Sequence, residues 1–172
     1  MAIETPTYKL LEKKGNIEIR VYAPMVIAKT IVKESYDSAL SKGFRRIANY
    51  IFGGNNKEMS ISMTAPVISK KSISSPGLYE VLFVMPKEYS LEDLPKPNFT
   101  SVSLEKKNLG KVICIKFGGW ATEKKVERLQ IDLIKSISDM GLETKGDFLV
   151  AQYNSPWGIH PFRRNEILVQ IK

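Results

Sequence analysis

The chain has 172 residues, of which 43% are hydrophobic and 26% charged, so its composition is that of one folded domain and excludes a disordered chain. Its net charge is +8, but the basic residues occur as scattered doublets, and we therefore expect no nucleic-acid partner. The single cysteine, Cys114, excludes an internal disulfide and a multi-cysteine metal site. No apolar run approaches the roughly 20 residues that span a bilayer, and the N-terminus has no apolar signal core. We therefore expect no membrane span and a cytoplasmic location.

The first half of the chain predicts two strands, a helix and two more extended segments. In chain order these are strands over 17–22 and 25–33, a helix from Ser35 to about Phe52, and extended segments over 59–68 and 78–85. Ser35 is a suitable N-cap, and Gly53 and Gly54 end the helix. Pro66 interrupts the segment that contains it.

The second half of the chain repeats this order. It predicts strands over 102–106 and 112–117, a helix from Thr122 through Met140, and strands over 147–153 and 165–171. One such repeat, at about 15–86 or 98–172, has too few strands to bury both faces of a sheet alone. We therefore expect a single α+β domain over 1–172. In it, two pseudo-symmetric ββαββ repeats form a distorted antiparallel β-barrel or sheet with two helices on its surface.

The first predicted helix has a wider apolar surface than one sheet contact needs. Its core stripe consists of Tyr36, Leu40, Gly43, Ile47 and Ile51. A rotation of about 100° per residue adds an adjoining flank formed by Phe44, Ala48 and Phe52, with Ser41 on it and Arg45 at its border. An apolar strip beside a guanidinium suits a flat apolar ligand with carboxylates. The alternative is that Phe44 and Phe52 pack under the loop that follows Asn154.

Gly43 costs helix stability relative to alanine, so its place in the core stripe needs a reason. It favours a close approach of the helix to the sheet over space for a ligand.

The residues that carry chemistry are few. With one histidine, one cysteine, no G-x-S-x-G elbow and no HExxH, the sequence predicts no enzyme. His160, in the stiff aromatic turn 155–162, is a candidate axial ligand for haem iron, although a lone loop histidine is more often exposed or bonded to backbone. Met59, Met63 and Met85 are further candidates, but strand methionines usually fill the core.

Several sequence motifs follow one another along nearly the whole chain. They are YKLL at 8–11, IRVY at 19–22, GF at 43–44, YIFGGN at 50–55, MTAPV at 63–67, YNSPW at 153–157 and RRNEI at 163–167. In this order they resemble the signatures of the SOUL haem-binding family. The resemblance implies a distorted β-barrel with two helices, built from two ββαββ-like repeats. It also implies kinship with bacterial effector-binding domains that hold small molecules in a groove.

The resemblance further implies a shallow apolar pocket for a tetrapyrrole between the first helix and the C-terminal loop. The predicted cofactor-binding residues are Ser41, Phe44, Arg45, Ala48, Asn49, Phe52, Trp157, His160 and Arg163, with His160 as the candidate metal ligand. Asn49 stands where some relatives carry a basic residue suited to a propionate.

We therefore predict a non-enzymatic protein that binds haem non-covalently, through apolar contact and propionate pairing. Two alternatives stay open. The chain could be an effector-binding (sensor) module that takes another amphipathic anion in the same groove, or a protein-interaction module without physiological haem binding.

Overall fold

A computed structural model of the chain describes residues 3–154 and 163–172. In chain order its elements are β1 (Tyr8–Lys14), β2 (Ile17–Tyr22), β3 (Met25–Lys33), α1 (Tyr36–Ile51), β4 (Val67–Lys71), β5 (Leu78–Val84), β6 (Ser103–Lys107), β7 (Gly110–Gly118), α2 (Glu123–Asp139), β8 (Thr144–Gln152) and β9 (Arg164–Ile171). The predicted helices and their start residues are confirmed. Thr122 caps α2 by accepting a hydrogen bond from the Lys125 backbone, whereas Ser35 precedes α1 without a side-chain cap bond.

The described strands form one antiparallel sheet that curls into a half-barrel, which confirms the predicted α+β class. The strand order is β1-β2-β7-β9-β8-β4-β5-β3-β6, so β1 and β6 are its edges. Apart from β1, this order is symmetric. Strands β2, β3, β4 and β5 of the first predicted repeat correspond to β6, β7, β8 and β9 of the second. Exchanging each strand with its counterpart gives the same order read from the other end. A duplicated unit would produce such an order, and the duplication itself stays a prediction.

The prediction of one extended segment over 59–68 is correct only at its end, because β4 begins at Val67. Pro66 has no backbone N–H to donate to a neighbouring strand, so the regular ladder starts after it. The residues before it bond irregularly. The Thr64 hydroxyl donates to the Val84 carbonyl oxygen at 2.5 Å, and the Ala65 N–H donates to the Glu4 carbonyl oxygen at 2.9 Å.

The two helices cover different parts of the sheet. Helix α1 packs on β3 and β5, while α2 packs across β7, β8 and β9. A Cβ added to Gly43 would overlap the Val81 side chain of β5, so this glycine brings α1 close to the sheet, as its position in the sequence predicts. Neither described helix is long and apolar enough to cross a bilayer.

The concave side of the sheet encloses a buried ionic cluster, which we define as Glu18, Arg20, Tyr22, Tyr153 and Glu166. The Arg20 guanidinium donates to both carboxylate oxygens of Glu166, each at 2.8 Å, and to Glu18 at 2.6 Å. It also donates to the Tyr22 hydroxyl at 2.9 Å. The cluster lies among apolar residues of the half-barrel, and its members bond to one another and to Lys116 and Arg164.

Candidate functional site

Two adjoining cavities run along the flank of α1 that the sequence analysis singled out. The first lobe, of about 470 Å³, lies between the N-terminal half of α1 and the residues that lead into α2. The second lobe, of about 450 Å³, lies between the C-terminal half of α1 and the segment before β4. Both lobes are lined by Phe44, Arg45, Val67, Gln152 and Asn154, so we treat them as one groove.

The first lobe has its far wall at the connection between β7 and α2. The Tyr36 hydroxyl of α1 donates to the Ala121 carbonyl oxygen at 2.8 Å and thereby ties the two sides together. The Asn165 amide donates to the Gly119 carbonyl oxygen at 2.7 Å, which fixes the backbone next to Trp120. The Arg163 guanidinium lies over the Trp120 ring, 4.1 Å from its centroid, in a cation–π contact.

The second lobe is the more apolar of the two. Ala48 and Phe52 of α1 line one side, and Met63 and Ala65 line the other. Phe52 is 65% exposed, so its ring borders the groove instead of filling the core. Phe44 is half-buried and packs against Phe83 with ring centroids 5.3 Å apart. The two aromatic side chains therefore leave space beside them, and the apolar flank of α1 forms a wall of that space.

The groove meets a firmly bonded end of the β8–β9 pair. The Arg164 N–H donates to the Asn154 side-chain oxygen at 2.6 Å, and the Tyr153 N–H donates to the Arg164 carbonyl oxygen at 3.1 Å. The Arg164 guanidinium lies 4.0 Å from the centroid of the Tyr153 ring. These contacts hold three lining residues at the groove. Asn154 is itself bonded, Gln152 precedes the bonded Tyr153, and Arg163 precedes the bonded Arg164.

The same strand ends connect the groove to the buried ionic cluster. The Tyr153 hydroxyl donates to Glu166 at 3.1 Å, and the Arg164 guanidinium donates to it at 3.0 Å. Burial raises the pKa of Glu166, but the hydrogen bonds from Arg20 and Arg164 outweigh burial and hold this pKa below the ordinary value of a glutamate. Burial also raises the pKa of Tyr22 to about 12. The Glu166 carboxylate is therefore charged and the Tyr22 phenol neutral at neutral pH.

The rim of the groove carries cations from α1. Lys42, Arg45 and Arg46 line a shallow neighbouring cavity of about 280 Å³ together with Asn49. Lys42 donates to Glu34 at 2.6 Å, and Arg46 donates to the Ile31 carbonyl oxygen at 2.9 Å. Arg45 is exposed and lines both lobes, so it is the guanidinium of this group that borders the groove.

The structure brings together every predicted site residue that it describes. Ser41, Phe44, Arg45 and Arg163 line the first lobe, and Phe44, Arg45, Ala48, Asn49 and Phe52 line the second. Trp157 and His160 lie outside the described residues. Their assignment to ligand binding, like that of the other predicted residues, stays a prediction.

Some residues of the groove are not among the predicted cofactor-binding residues, and Trp120 and Met63 matter most among them. Trp120 lies two residues before the N-cap Thr122 and is 53% exposed, and no local pattern marks it as a groove residue. For Met63 the sequence predicts a core filler or an iron ligand, and the structure shows it in the lining of the second lobe.

Comparison with known proteins identifies the family. Residues 3–170 match the sequence profile described as SOUL heme-binding protein. The chain belongs to the SOUL haem-binding family. It is 31% identical to heme-binding protein 2 of Mus musculus, over 96% of this chain and 85% of that protein. It is 32% identical to heme-binding protein 2 of Homo sapiens, over 90% of this chain and 80% of that protein.

A structural comparison adds a relative of low sequence identity. The crystal structure of a hydrolase from Listeria innocua superposes with a TM-score of 0.64 at 12% identity, covering 94% of each chain. At that identity the likeness shows the fold alone. The description of the family and the names of these two relatives refer to haem.

The chemistry of the groove fits such a ligand. A porphyrin presents two apolar faces and an edge with two carboxylates, and its iron accepts nitrogen, oxygen or sulfur ligands. The second lobe offers an apolar wall, Arg45 and Arg163 offer cations, and Met63 offers a thioether.

Proposed function

We propose that this SOUL-family chain is a non-enzymatic haem-binding protein that holds the tetrapyrrole non-covalently in the groove beside α1. One observation carries the proposal. The apolar flank of α1 lines an open space of two lobes instead of being covered by the described part of the chain, and guanidinium groups border that space. Haem, when bound, supplies the iron and the conjugated ring; the protein supplies contact, orientation and charge.

Each group of residues has a separate part in this binding. Phe44, Ala48 and Phe52 remove a ring face from water, which is the main favourable term for an apolar ligand. Arg45 is exposed at the border of both lobes, where its planar guanidinium pairs with a propionate. Arg163 lies at the far side of the first lobe, where its buried guanidinium stacks on the Trp120 ring and helps to shape that wall.

Features of the fold support binding over catalysis. Cys114 is 0% exposed, and burial raises the pKa of its thiol to about 12, so it is unsuited to be a nucleophile at neutral pH. In the ranges 3–154 and 163–172, no group of three or more His, Cys, Asp or Glu side chains could hold a metal ion. A cytoplasmic location and the lack of a nucleic-acid partner accompany this proposal as predictions.

A hemin titration followed by absorbance tests the proposal, and the chain offers a matched pair of variants. Phe52 on the groove and Ile131 on the outer face of α2 are 65% and 66% exposed. Phe52→Asp places a carboxylate beside the ring, so we expect hemin affinity to fall at least about tenfold, or about 1.4 kcal/mol. Ile131→Asp makes the same kind of change away from the groove and should leave affinity unchanged.

The proposal is contradicted if wild-type protein gives no saturable Soret shift. It is also contradicted if Phe52→Asp and Phe44→Asp, both folded by circular dichroism, bind hemin as wild type does. Phe44→Asp is the more severe variant because Phe44 also packs against Phe83.

The lining of the first lobe favours one second candidate. Tyr36, Asp37, Ser41 and Thr122 make that lobe more polar than the second, which suits a smaller amphipathic anion. A ligand that copurifies with the protein, lacks a porphyrin spectrum and is displaced in competition with hemin would favour an effector-binding module.

A further inference from the structure

Proteins hold haem iron with histidine, cysteine, methionine or tyrosine side chains. Only a few described residues of these types reach the groove. Cys114 faces the interior of the half-barrel, and the single histidine of the chain is His160, which lies outside the described residues. The described lining contains Tyr36, Tyr153 and Met63.

Both tyrosines are poor ligands in this environment. The Tyr36 hydroxyl donates to the Ala121 carbonyl oxygen, and the Tyr153 hydroxyl donates to Glu166. Iron binds the phenolate, but burial raises the pKa of both side chains and so disfavours that form. Ligation would also break the hydrogen bond that each hydroxyl donates.

Met63 differs from the tyrosines on both counts. A thioether binds iron without losing a proton and donates no hydrogen bond that ligation would break. Met63 is half-buried and lines the second lobe together with the α1 flank. The residues that follow it are held in place, since the Thr64 hydroxyl bonds to Val84 and the Ala65 N–H bonds to Glu4.

The other two methionines that the sequence analysis considered do not line the groove. Met85 is 4% exposed and belongs to the core under α1. Met59 and Met63 are both half-buried and pack against the same core, but of these two only Met63 also lines the groove. The structure therefore selects one methionine of three.

We propose that Met63 would supply a thioether ligand to the iron of a haem held in the second lobe. This inference rests on the proposed haem-binding function and adds an iron ligand to it. Thioether ligation favours ferrous iron, so the bound haem should have a higher reduction potential than one without that ligand.

The test compares Met63→Leu with Met59→Leu, because leucine keeps the size and apolar character of methionine but cannot ligate iron. Each variant is titrated with hemin and with metal-free protoporphyrin IX. Met63→Leu should weaken hemin binding about tenfold. It should also lower the reduction potential of the complex and remove the weak near-infrared band typical of ferric iron bonded to a thioether. Protoporphyrin IX affinity should be unchanged, and Met59→Leu should behave as wild type throughout.

A role in packing alone would give a different result. In that case Met63→Leu would weaken hemin and protoporphyrin IX equally, or would leave the hemin spectrum and potential unchanged, and either outcome overturns the inference. Met63→His provides the second variant if Met63→Leu folds poorly. Its complex should show the low-spin spectrum of an imidazole ligand, and a wild-type spectrum there overturns the inference.

The same experiments separate the two proposals. If the wild-type protein takes up no hemin, the haem-binding function fails and the ligand assignment fails with it. If hemin binds to wild type, Phe52→Asp weakens that binding and Met63→Leu leaves the hemin spectrum unchanged, only the ligand assignment fails.

Discussion

Arg20 and Arg45 show two contrasting uses of a guanidinium in one small domain. Arg20 is 0% exposed and its donors bond to Glu18, Tyr22 and Glu166 within the half-barrel. Arg45 is exposed at the border of both groove lobes. Burial with matched partners makes the first charge part of the fold, because removing either partner leaves an uncompensated charge. The second charge stays solvated and can attract an anion without a large desolvation cost.

The most severe test of this comparison is Arg20→Met. Methionine has about the length of arginine but carries no charge. The substitution therefore leaves the carboxylate of Glu166 without its bidentate partner. We expect the free energy of unfolding to fall by about 3–5 kcal/mol, measured by urea denaturation. Arg45→Met should change it by no more than about 0.5 kcal/mol. Equal losses in the two variants would refute the distinction between a structural and a solvated arginine.

The converse test measures binding. Arg45→Met should weaken hemin affinity about tenfold, because a charge-assisted hydrogen bond to a propionate contributes roughly 1.5–3 kcal/mol. Arg45→Lys should be intermediate, since it keeps the charge but loses the planar fork. Added salt should weaken binding more in wild type than in Arg45→Met. An affinity that is insensitive to both substitutions and to salt would show that Arg45 does not contact the ligand.

The mildest test changes only the pH. The pKa values of Glu18 and Glu166 are both lowered in the folded protein, despite burial, by hydrogen bonds from Lys116 and Arg20 to Glu18 and from Arg20 and Arg164 to Glu166. As the pH falls, the glutamates of the unfolded chain take up protons at about pH 4.3, which is a higher pH than the folded protein requires. The contribution of these groups to stability is therefore fully present above about pH 5 and is lost as the pH falls through the folded values.

Urea denaturation between neutral pH and about pH 3 measures this loss. Arg20→Met removes the main cause of the lowered pKa of Glu166, so its stability should fall less steeply with acid than that of wild type. Parallel curves for the two proteins would show that the cluster does not set the acid sensitivity.

Local sequence patterns were sufficient for most of the fold. The β-branched run 25–33 coincides with β3, and the helical stripes and caps place α1 and α2 within a few residues. The predicted flank of α1 lines the groove because helical angle depends on sequence spacing alone. The first strand, β1, was missed because nearly all of its residues are exposed and no alternation marks it.

Long-range pairing could not be predicted in the same way. Nothing local indicates that Arg20 bonds to Glu166, since 146 residues separate them and strand pairing alone brings them together. The places of Trp120 and Met63 at the groove depend likewise on how distant segments meet across α1. The family resemblance supplied the ligand class, and the tertiary structure supplied these neighbours.

The half-barrel leaves strands β1 and β6 at its two edges, each with one row of backbone groups not used by the sheet. Such rows can recruit strands from other molecules and start aggregation. Here the edge strands are rich in lysine, with Lys9, Lys13 and Lys14 on β1 and Lys106 and Lys107 on β6. Like charges would be brought together wherever two such edges met, so the open barrel carries its own electrostatic protection against fibril-like self-association.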